Sequence, residues 1–110
     1  MPVYLYELAY TAESVAAQIK NPQDRLEVAA KPAIAAIGGK FLGGGFAFGD
    51  YDAIVMFEAP DDVAVAALAT AVVASGAFKA SKTTKLLDGT QWVDGLRKSQ
   101  AVMGTFTPAR

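Results

Sequence analysis

The sequence predicts an α+β fold of ferredoxin-like type, in which a four-stranded antiparallel sheet carries its helices on one face. One observation is the order of local patterns, which runs strand, helix, two strands, helix, strand. The second is that two of these strands are apolar on both faces. The third is composition: 53% of the 110 residues are hydrophobic and 19% are charged, against about 45–50% and 25% in average domains. A chain of this length forms one domain, and its excess of apolar residues favours a homo-oligomer.

The first predicted strand, Val3–Tyr10, is rich in β-branched and aromatic residues. Its alternate positions form two apolar sets, Val3, Leu5 and Ala9 on one face and Tyr4, Tyr6, Leu8 and Tyr10 on the other. A strand with one wet face would carry polar side chains there. We therefore expect a central strand that is covered on both sides.

Two helical segments follow this strand. Thr11 begins a short one, and Asn21-Pro22 predicts the start of a second, because asparagine caps free amides and proline suits the first helical position. Gly38-Gly39 predicts its end after Ile37. Pro32 lies inside this second helix and should remove the hydrogen bond to Val28 and kink the helix.

The second half of the domain predicts strands Lys40–Phe48 and Ala53–Ala59, helix Val63–Ala74 and strand Lys79–Leu87. Gly43-Gly44-Gly45 interrupts the first of these strands, and residues 49–52 form a hairpin turn. Asp61 and Asp62 favour a helix start. The third strand, like the first, is apolar on both faces.

A last helix is predicted to begin at a Thr90 cap, after the Asp88-Gly89 break, and to run to about Met103. Its apolar side contains Trp92 and Leu96, so we expect it to dock on the domain or on a partner subunit. The chain thus divides into a domain of residues 1–87, a docking helix of residues 88–104 and a tail of residues 105–110.

Composition excludes several kinds of function. The net charge is −1 with scattered lysines and arginines, so no basic face for nucleic acid is expected. The absence of cysteine and histidine excludes disulfides and thiolate chemistry and removes the commonest zinc ligands. No signal-peptide pattern is present, and the longest uncharged run, Val63–Phe78, is shorter than the roughly 20 residues of a membrane span. We expect a cytoplasmic protein without cofactor, nucleic acid or membrane partner.

Gly49-Asp50-Tyr51-Asp52, followed by Glu58-Ala59-Pro60-Asp61-Asp62, resembles the signature of the GYD-domain family. Further matches are Tyr4, Leu8, Tyr10-Thr11, Pro22, Arg25, Gly38-Gly39 and Thr83-Thr84. The resemblance implies a dimeric α+β-barrel type of fold and pairing with a second copy of the chain, but it implies no reaction. Glu7, the triple glycine and Pro32 depart from the family pattern.

The densest polar feature is a set of five acids, Asp50, Asp52, Glu58, Asp61 and Asp62. Their oxygens would suit Mg²⁺ or Ca²⁺, but the spacing fails because Ile54 stands where a calcium loop needs a third ligand. We interpret Asp50 and Asp52 as turn residues and Asp61 and Asp62 as helix-capping residues, and we expect no metal site.

Glu7 and Glu58 are candidates for a catalytic base because each lies in an otherwise apolar strand. The resemblance places the first and third strands side by side, where two carboxylates would share a cavity. Burial or like-charge proximity there raises a carboxyl pKa by up to roughly 3–5 units. The alternative is that each acid reaches solvent or a lysine of the fourth strand, Lys79, Lys82 or Lys85.

Aromatic residues are the candidates for ligand contact: Tyr4, Tyr6, Tyr10, Tyr51 and Trp92. Their hydroxyl and indole groups would orient a small polar ligand, or they anchor the core or an interface. The triple glycine lacks the pattern of a phosphate loop and is more typical of a bulge or a close backbone approach.

Two hypotheses for function remain, with a pure interaction module as a weaker third. The first is a homo-oligomer that binds a small apolar or aromatic molecule between sheet and helices. The second is a cofactor-free isomerase-like or monooxygenase-like enzyme with Glu58 or Glu7 as base and a tyrosine as orienting donor. An enclosed cavity that holds a carboxylate would favour the enzyme.

Overall fold

A computed structural model describes residues 1–109 of the chain. Its elements are β1 (Val3–Tyr10), α1 (Ala12–Lys20), α2 (Lys31–Ala36), β2 (Lys40–Phe46), β3 (Ala53–Glu58), α3 (Asp62–Ala74), β4 (Phe78–Leu86) and α4 (Gly89–Met103). The four strands form one antiparallel sheet in the order β2-β3-β1-β4. This confirms the predicted ferredoxin-like α+β fold and the central positions of β1 and β3.

The register between β1 and β3 builds the core on the helix-covered face of the sheet. Tyr4, Tyr6 and Leu8 lie opposite Phe57, Val55 and Ala53, respectively. These side chains are all buried, and Ile34 of α2 with Val65 and Leu68 of α3 packs against them. Complete burial of a large apolar side chain such as Phe57 stabilises the fold by about 1.5–3 kcal/mol.

Helix α1 adds little to this core. Thr11 caps it by accepting the Ser14 amide at 3.2 Å, but none of its residues is buried. Val15 and Ile19 are exposed. The sheet is therefore covered by α2 and α3.

The predicted helix start at Asn21-Pro22 is wrong. Asn21 instead ends α1, because its amide donates to the Ala17 carbonyl at 3.1 Å. The next helical segment begins after Asp24, whose carboxylate accepts the Leu26 amide at 3.0 Å. An aspartate three residues downstream thus replaces asparagine as the residue that satisfies free helix amides.

The helical segment is irregular directly before Pro32. A π-helical turn, Leu26–Ala30, runs directly into α2, and the Lys31 amide donates to the Leu26 carbonyl. Pro32 stands at the second position of α2, directly after this π-helical turn.

Other element boundaries also differ from those predicted. β2 ends at Phe46, β3 ends at Glu58 and β4 begins at Phe78. Helix α4 is capped by Asp88 instead of Thr90. The Asp88 carboxylate accepts the Gln91 amide at 2.8 Å, and the Gln91 side chain accepts the Asp88 amide at 2.9 Å. This reciprocal pair satisfies two amides at once.

The triple glycine allows close approach of two backbones, as the sequence indicated. The register of β2 shifts between Phe41 and Gly43. A Cβ on Gly44 would lie 2.5 Å from the Ile54 carbonyl oxygen of β3. Cβ atoms on Gly43 and Gly45, which face the side of the sheet without helices, would meet nothing within 4 Å.

Helix α4 gives the chain an elongated shape. The molecule measures 60 × 35 × 22 Å with a radius of gyration of 17.8 Å, against about 13 Å for a compact domain of this length. Trp92, Leu96 and Met103 are 61%, 53% and 78% exposed. The sequence predicts that α4 docks either on its own domain or on a partner subunit. In the single chain α4 does not dock on its own domain.

We predict that Gly44→Ala lowers the free energy of unfolding by about 1–3 kcal/mol, because its methyl group must displace the backbone of β3. Gly45→Ala is the matched control, expected to change this free energy by less than about 0.5 kcal/mol. Urea denaturation of both variants measures the difference. Equal stabilities would show that the two strands separate at no cost.

Candidate functional site

A cavity of about 370 Å³ lies between the sheet and helices α2 and α3. One end is apolar and is lined by Ile34, Phe57 and Leu68, among others. The other end, where β1 finishes, is lined by Tyr10, Ser14 and Arg25. This volume falls within the usual range for small-molecule sites, about 300–1,000 Å³.

The cavity exists because alanine occupies positions that face the sheet. Ala30 and Ala33 line it from the α2 side, Ala71 from α3 and Ala53 from the sheet itself. A leucine or phenylalanine at these positions would fill the space, as is usual in protein interiors. The alanine-rich segments therefore create the cavity without interrupting either helix.

Arg25 is the charged residue of the cavity wall, and its acidic neighbours are engaged elsewhere. Asp24 accepts the amides of Leu26 and Glu27, and the Glu27 carboxylate pairs with Lys31. Within residues 1–109 Arg25 forms no ion pair and no side-chain hydrogen bond, although it is half-buried. Burial raises the pKa of Tyr10, and the charge of Arg25 opposes part of that rise. The positive charge of Arg25 thus affects the pKa of Tyr10 at the polar end of the cavity.

Tyr6 also lines the cavity, and its hydroxyl is buried without a hydrogen-bond partner in the described part of the chain. Burial raises the pKa of Tyr6, and Ser81 lowers it in part without reaching hydrogen-bonding geometry. A buried hydroxyl without a hydrogen-bond partner lowers the free energy of unfolding.

A second, shallower depression of about 340 Å³ lies beside the start of α3. Its polar groups bond one another: the Tyr4 hydroxyl and the Lys85 ammonium donate to the same Asp62 oxygen, at 2.6 and 3.0 Å. The Tyr4 and Lys85 bonds lower the pKa of Asp62, and the bond to Asp62 raises the pKa values of Tyr4 and Lys85. Because these groups satisfy one another, they tie α3 to β1 and β4.

The two candidate bases do not meet. Glu7 lies opposite Ile54, whereas Glu58 lies opposite Val3, four residues away along β1. Both face the side of the sheet without helices, and neither lines the cavity. Glu7 is directly opposite Lys82 of β4, which is one of the lysines considered for it.

The aromatic candidates are divided among three places. Tyr6 and Tyr10 line the cavity, and Tyr4 lines the depression beside α3. Tyr51 and Trp92 line neither. Sequence reasoning missed Arg25 as a site residue. Its signal was an arginine whose neighbouring acids are engaged locally, Asp24 at a helix start and Glu27 four residues before Lys31.

The sequence pattern of the GYD domain matches residues 4–93 of the chain. The protein belongs to the GYD domain family. Every described residue that lines the cavity lies within the matched range. The match ends at Val93, inside α4.

Among solved structures, the crystal structure of MtbAldR resembles this GYD domain with a TM-score of 0.52 and 13% sequence identity. The likeness covers 79% of this chain and 52% of that chain, so this chain spans about half the length of MtbAldR. At this identity the comparison shows the fold alone. No curated protein matches the chain. None of the helices within residues 1–109 combines the length and apolarity needed to cross a membrane.

The signature residues of this GYD domain organise a turn. Gly49 has a φ of +106°, which an L-residue rarely adopts. The Asp52 carboxylate accepts the Tyr10 amide at 2.9 Å, and its backbone amide donates to Leu8 at 2.8 Å. Asp61 caps α3 by accepting the Ala64 amide at 2.8 Å. The interpretation of Asp52 as a turn residue and Asp61 as a capping residue is confirmed, whereas the Asp62 carboxylate accepts from Tyr4 and Lys85 instead of a helix amide.

We predict opposite effects on stability when the two buried tyrosines of the GYD domain lose their hydroxyls. Tyr6→Phe removes an unpartnered buried group and should raise the free energy of unfolding by about 1 kcal/mol. Tyr4→Phe breaks the bond to Asp62 and should lower the melting temperature. Thermal and urea denaturation check both. A Tyr6→Phe variant less stable than the native protein would mean that the hydroxyl has a partner.

Proposed function

We propose that this GYD domain binds a small apolar or aromatic molecule in the cavity between its sheet and helices α2 and α3. The observation that carries the proposal is the cavity itself, about 370 Å³ with mainly apolar walls. An apolar cavity of about 150 Å³ holds one benzene ring. The present volume therefore suits two fused rings or a branched chain of similar size.

The enzyme hypothesis lacks a corresponding observation. A cofactor-free base must come within hydrogen-bonding reach of the substrate proton. Among the described residues that line the cavity none is an aspartate or glutamate. Glu7 and Glu58 both face the opposite side of the sheet. Binding is thus the function that the arrangement of side chains supports best.

We further propose that the protein assembles as a symmetric dimer through the sheet face without helices, with α4 docked on the partner. Apolar side chains on this face include Val3, Leu5, Ile54, Met56 and Leu86. The apolar side of α4 is a second uncovered surface on the same chain. Two such surfaces on one chain suit an isologous interface, in which each copy covers the other.

The cavity assignment predicts that Ala33→Leu weakens ligand binding. We expect 2-naphthalenemethanol, a neutral two-ring compound, to bind the native chain in isothermal titration calorimetry. Ala33→Leu should weaken this binding by at least about tenfold because the larger side chain fills the cavity. Ala35→Leu, on the exposed side of the same helix, is the matched control and should leave affinity unchanged.

Folding of Ala33→Leu should be preserved, since filling a cavity does not remove existing contacts. Saturable binding that is equally strong in Ala33→Leu and the native chain would place the ligand outside the cavity.

The assembly predicts that a chain ending at Leu87 stays folded but associates more weakly. Helix α4 buries no residue in the single chain, so its loss removes no core contact. Sedimentation equilibrium at micromolar concentration should show a dimer for the full chain and a larger monomer fraction for the truncated one. A chain ending at Gly104 keeps α4 and is the control. A full chain that sediments as a monomer contradicts the assembly.

A further inference from the structure

Charge is distributed very unevenly over the cavity wall. Among the described residues that line it, Arg25 alone carries a charge. The remaining polar side chains are hydroxyls, of which Tyr10 and Ser14 lie at the same end as Arg25. The opposite end is formed by Ile34, Phe57 and Leu68. The cavity is therefore amphipathic, with one cation at its polar end.

The guanidinium at that end has unused hydrogen-bonding capacity. A guanidinium that makes no ion pair keeps its five N–H donors for water or for a ligand. Here both acidic neighbours in sequence are engaged: Asp24 with backbone amides, and Glu27 with Lys31. Within residues 1–109 no carboxylate lies within 4.0 Å of a nitrogen of Arg25. The fold thus leaves an arginine beside an apolar cavity with its donors free.

We infer that the cavity takes a small molecule with an apolar ring system or branched chain and a single carboxylate, which pairs with Arg25. The inference rests on the proposed binding function and names its ligand class. The planar guanidinium donates two parallel hydrogen bonds to a carboxylate, a geometry that lysine does not offer. The apolar body of the ligand occupies the end formed by Ile34, Phe57 and Leu68. Tyr10 and Ser14 stand beside the carboxylate as further donors.

The test compares two ligands of nearly equal size, 2-naphthoate and 2-naphthalenemethanol, by isothermal titration calorimetry on the full chain. The carboxylate should bind about 10–100-fold more tightly than the alcohol, the usual advantage of hydrogen bonds to a charged group. Arg25→Gln should remove this advantage, because it weakens binding of the carboxylate far more than binding of the alcohol. Because Arg25 makes no side-chain bond in the described chain, the variant should keep the native melting temperature.

Arg97→Gln is the matched control. Arg97 lies on α4, pairs with Asp94 at 3.2 Å and lines neither the cavity nor the depression. Its replacement removes the same charge from the protein and should keep the full preference for 2-naphthoate. A general effect of net charge would instead appear in both variants.

The outcomes separate the ligand class from the binding function. Equal affinities of the native chain for the two compounds, or a preference that survives Arg25→Gln, overturn the carboxylate assignment. If the alcohol still binds and Ala33→Leu still blocks it, the cavity remains a binding site for neutral molecules. If neither compound binds, the proposed function fails together with the inference.

Discussion

The pairing of β1 with a neighbour on each side is the constraint on which the rest of this structure depends. Its residues Val3–Leu8 pair with β3 along one edge, and all eight residues, Val3–Tyr10, pair with β4 along the other. Such a strand has no free edge. Its side chains alternate between the helix-covered face and the opposite face. Beyond Leu8, the last residue of β1 that pairs with β3, the Asp52 carboxylate accepts the Tyr10 amide at 2.9 Å. The family signature thus completes the hydrogen bonding of β1.

The cavity follows from how the helix-covered face is filled. On this face β1 presents tyrosines, and alanines of the two helical segments face them across the cavity. A close-packed core would need larger partners at these positions. In α3 the larger side chains Val63 and Val73 are exposed, whereas Val65 and Leu68 are buried. Part of the apolar side-chain volume of α3 therefore faces solvent. The space between this helix and the sheet is not filled.

The sequence predicted the order of the elements and the central place of β1 and β3, because alternation along a strand is local information. Helix starts were placed less well. Asn21-Pro22 and Asp24 are both good caps, as are Asp88 and Thr90, and the choice depends on which carboxylate reaches free amides. The separation of Glu7 from Glu58 depends on the register between two strands, and the cavity depends on distances among three elements. A short stretch of sequence encodes neither the register nor these distances. For this reason Arg25 could be recognised as a site residue only from the structure around it.

The charges on the uncovered sheet face bear on whether that face can be buried in a dimer. Burial of an isolated carboxylate or ammonium is costly, and this cost opposes an interface in which Glu7 and Glu58 are unpaired. Each of these acids, however, lies directly opposite a lysine on the neighbouring strand, Glu7 opposite Lys82 and Glu58 opposite Lys40. Ion pairs exposed to water stabilise a protein little. In the single chain neither of these two pairs has its nitrogen and oxygen atoms within 4.0 Å. In the proposed dimer, where a second copy would exclude water, the same arrangement would let each acid pair within its own protomer. The register that keeps the two acids apart thereby makes the face compatible with burial.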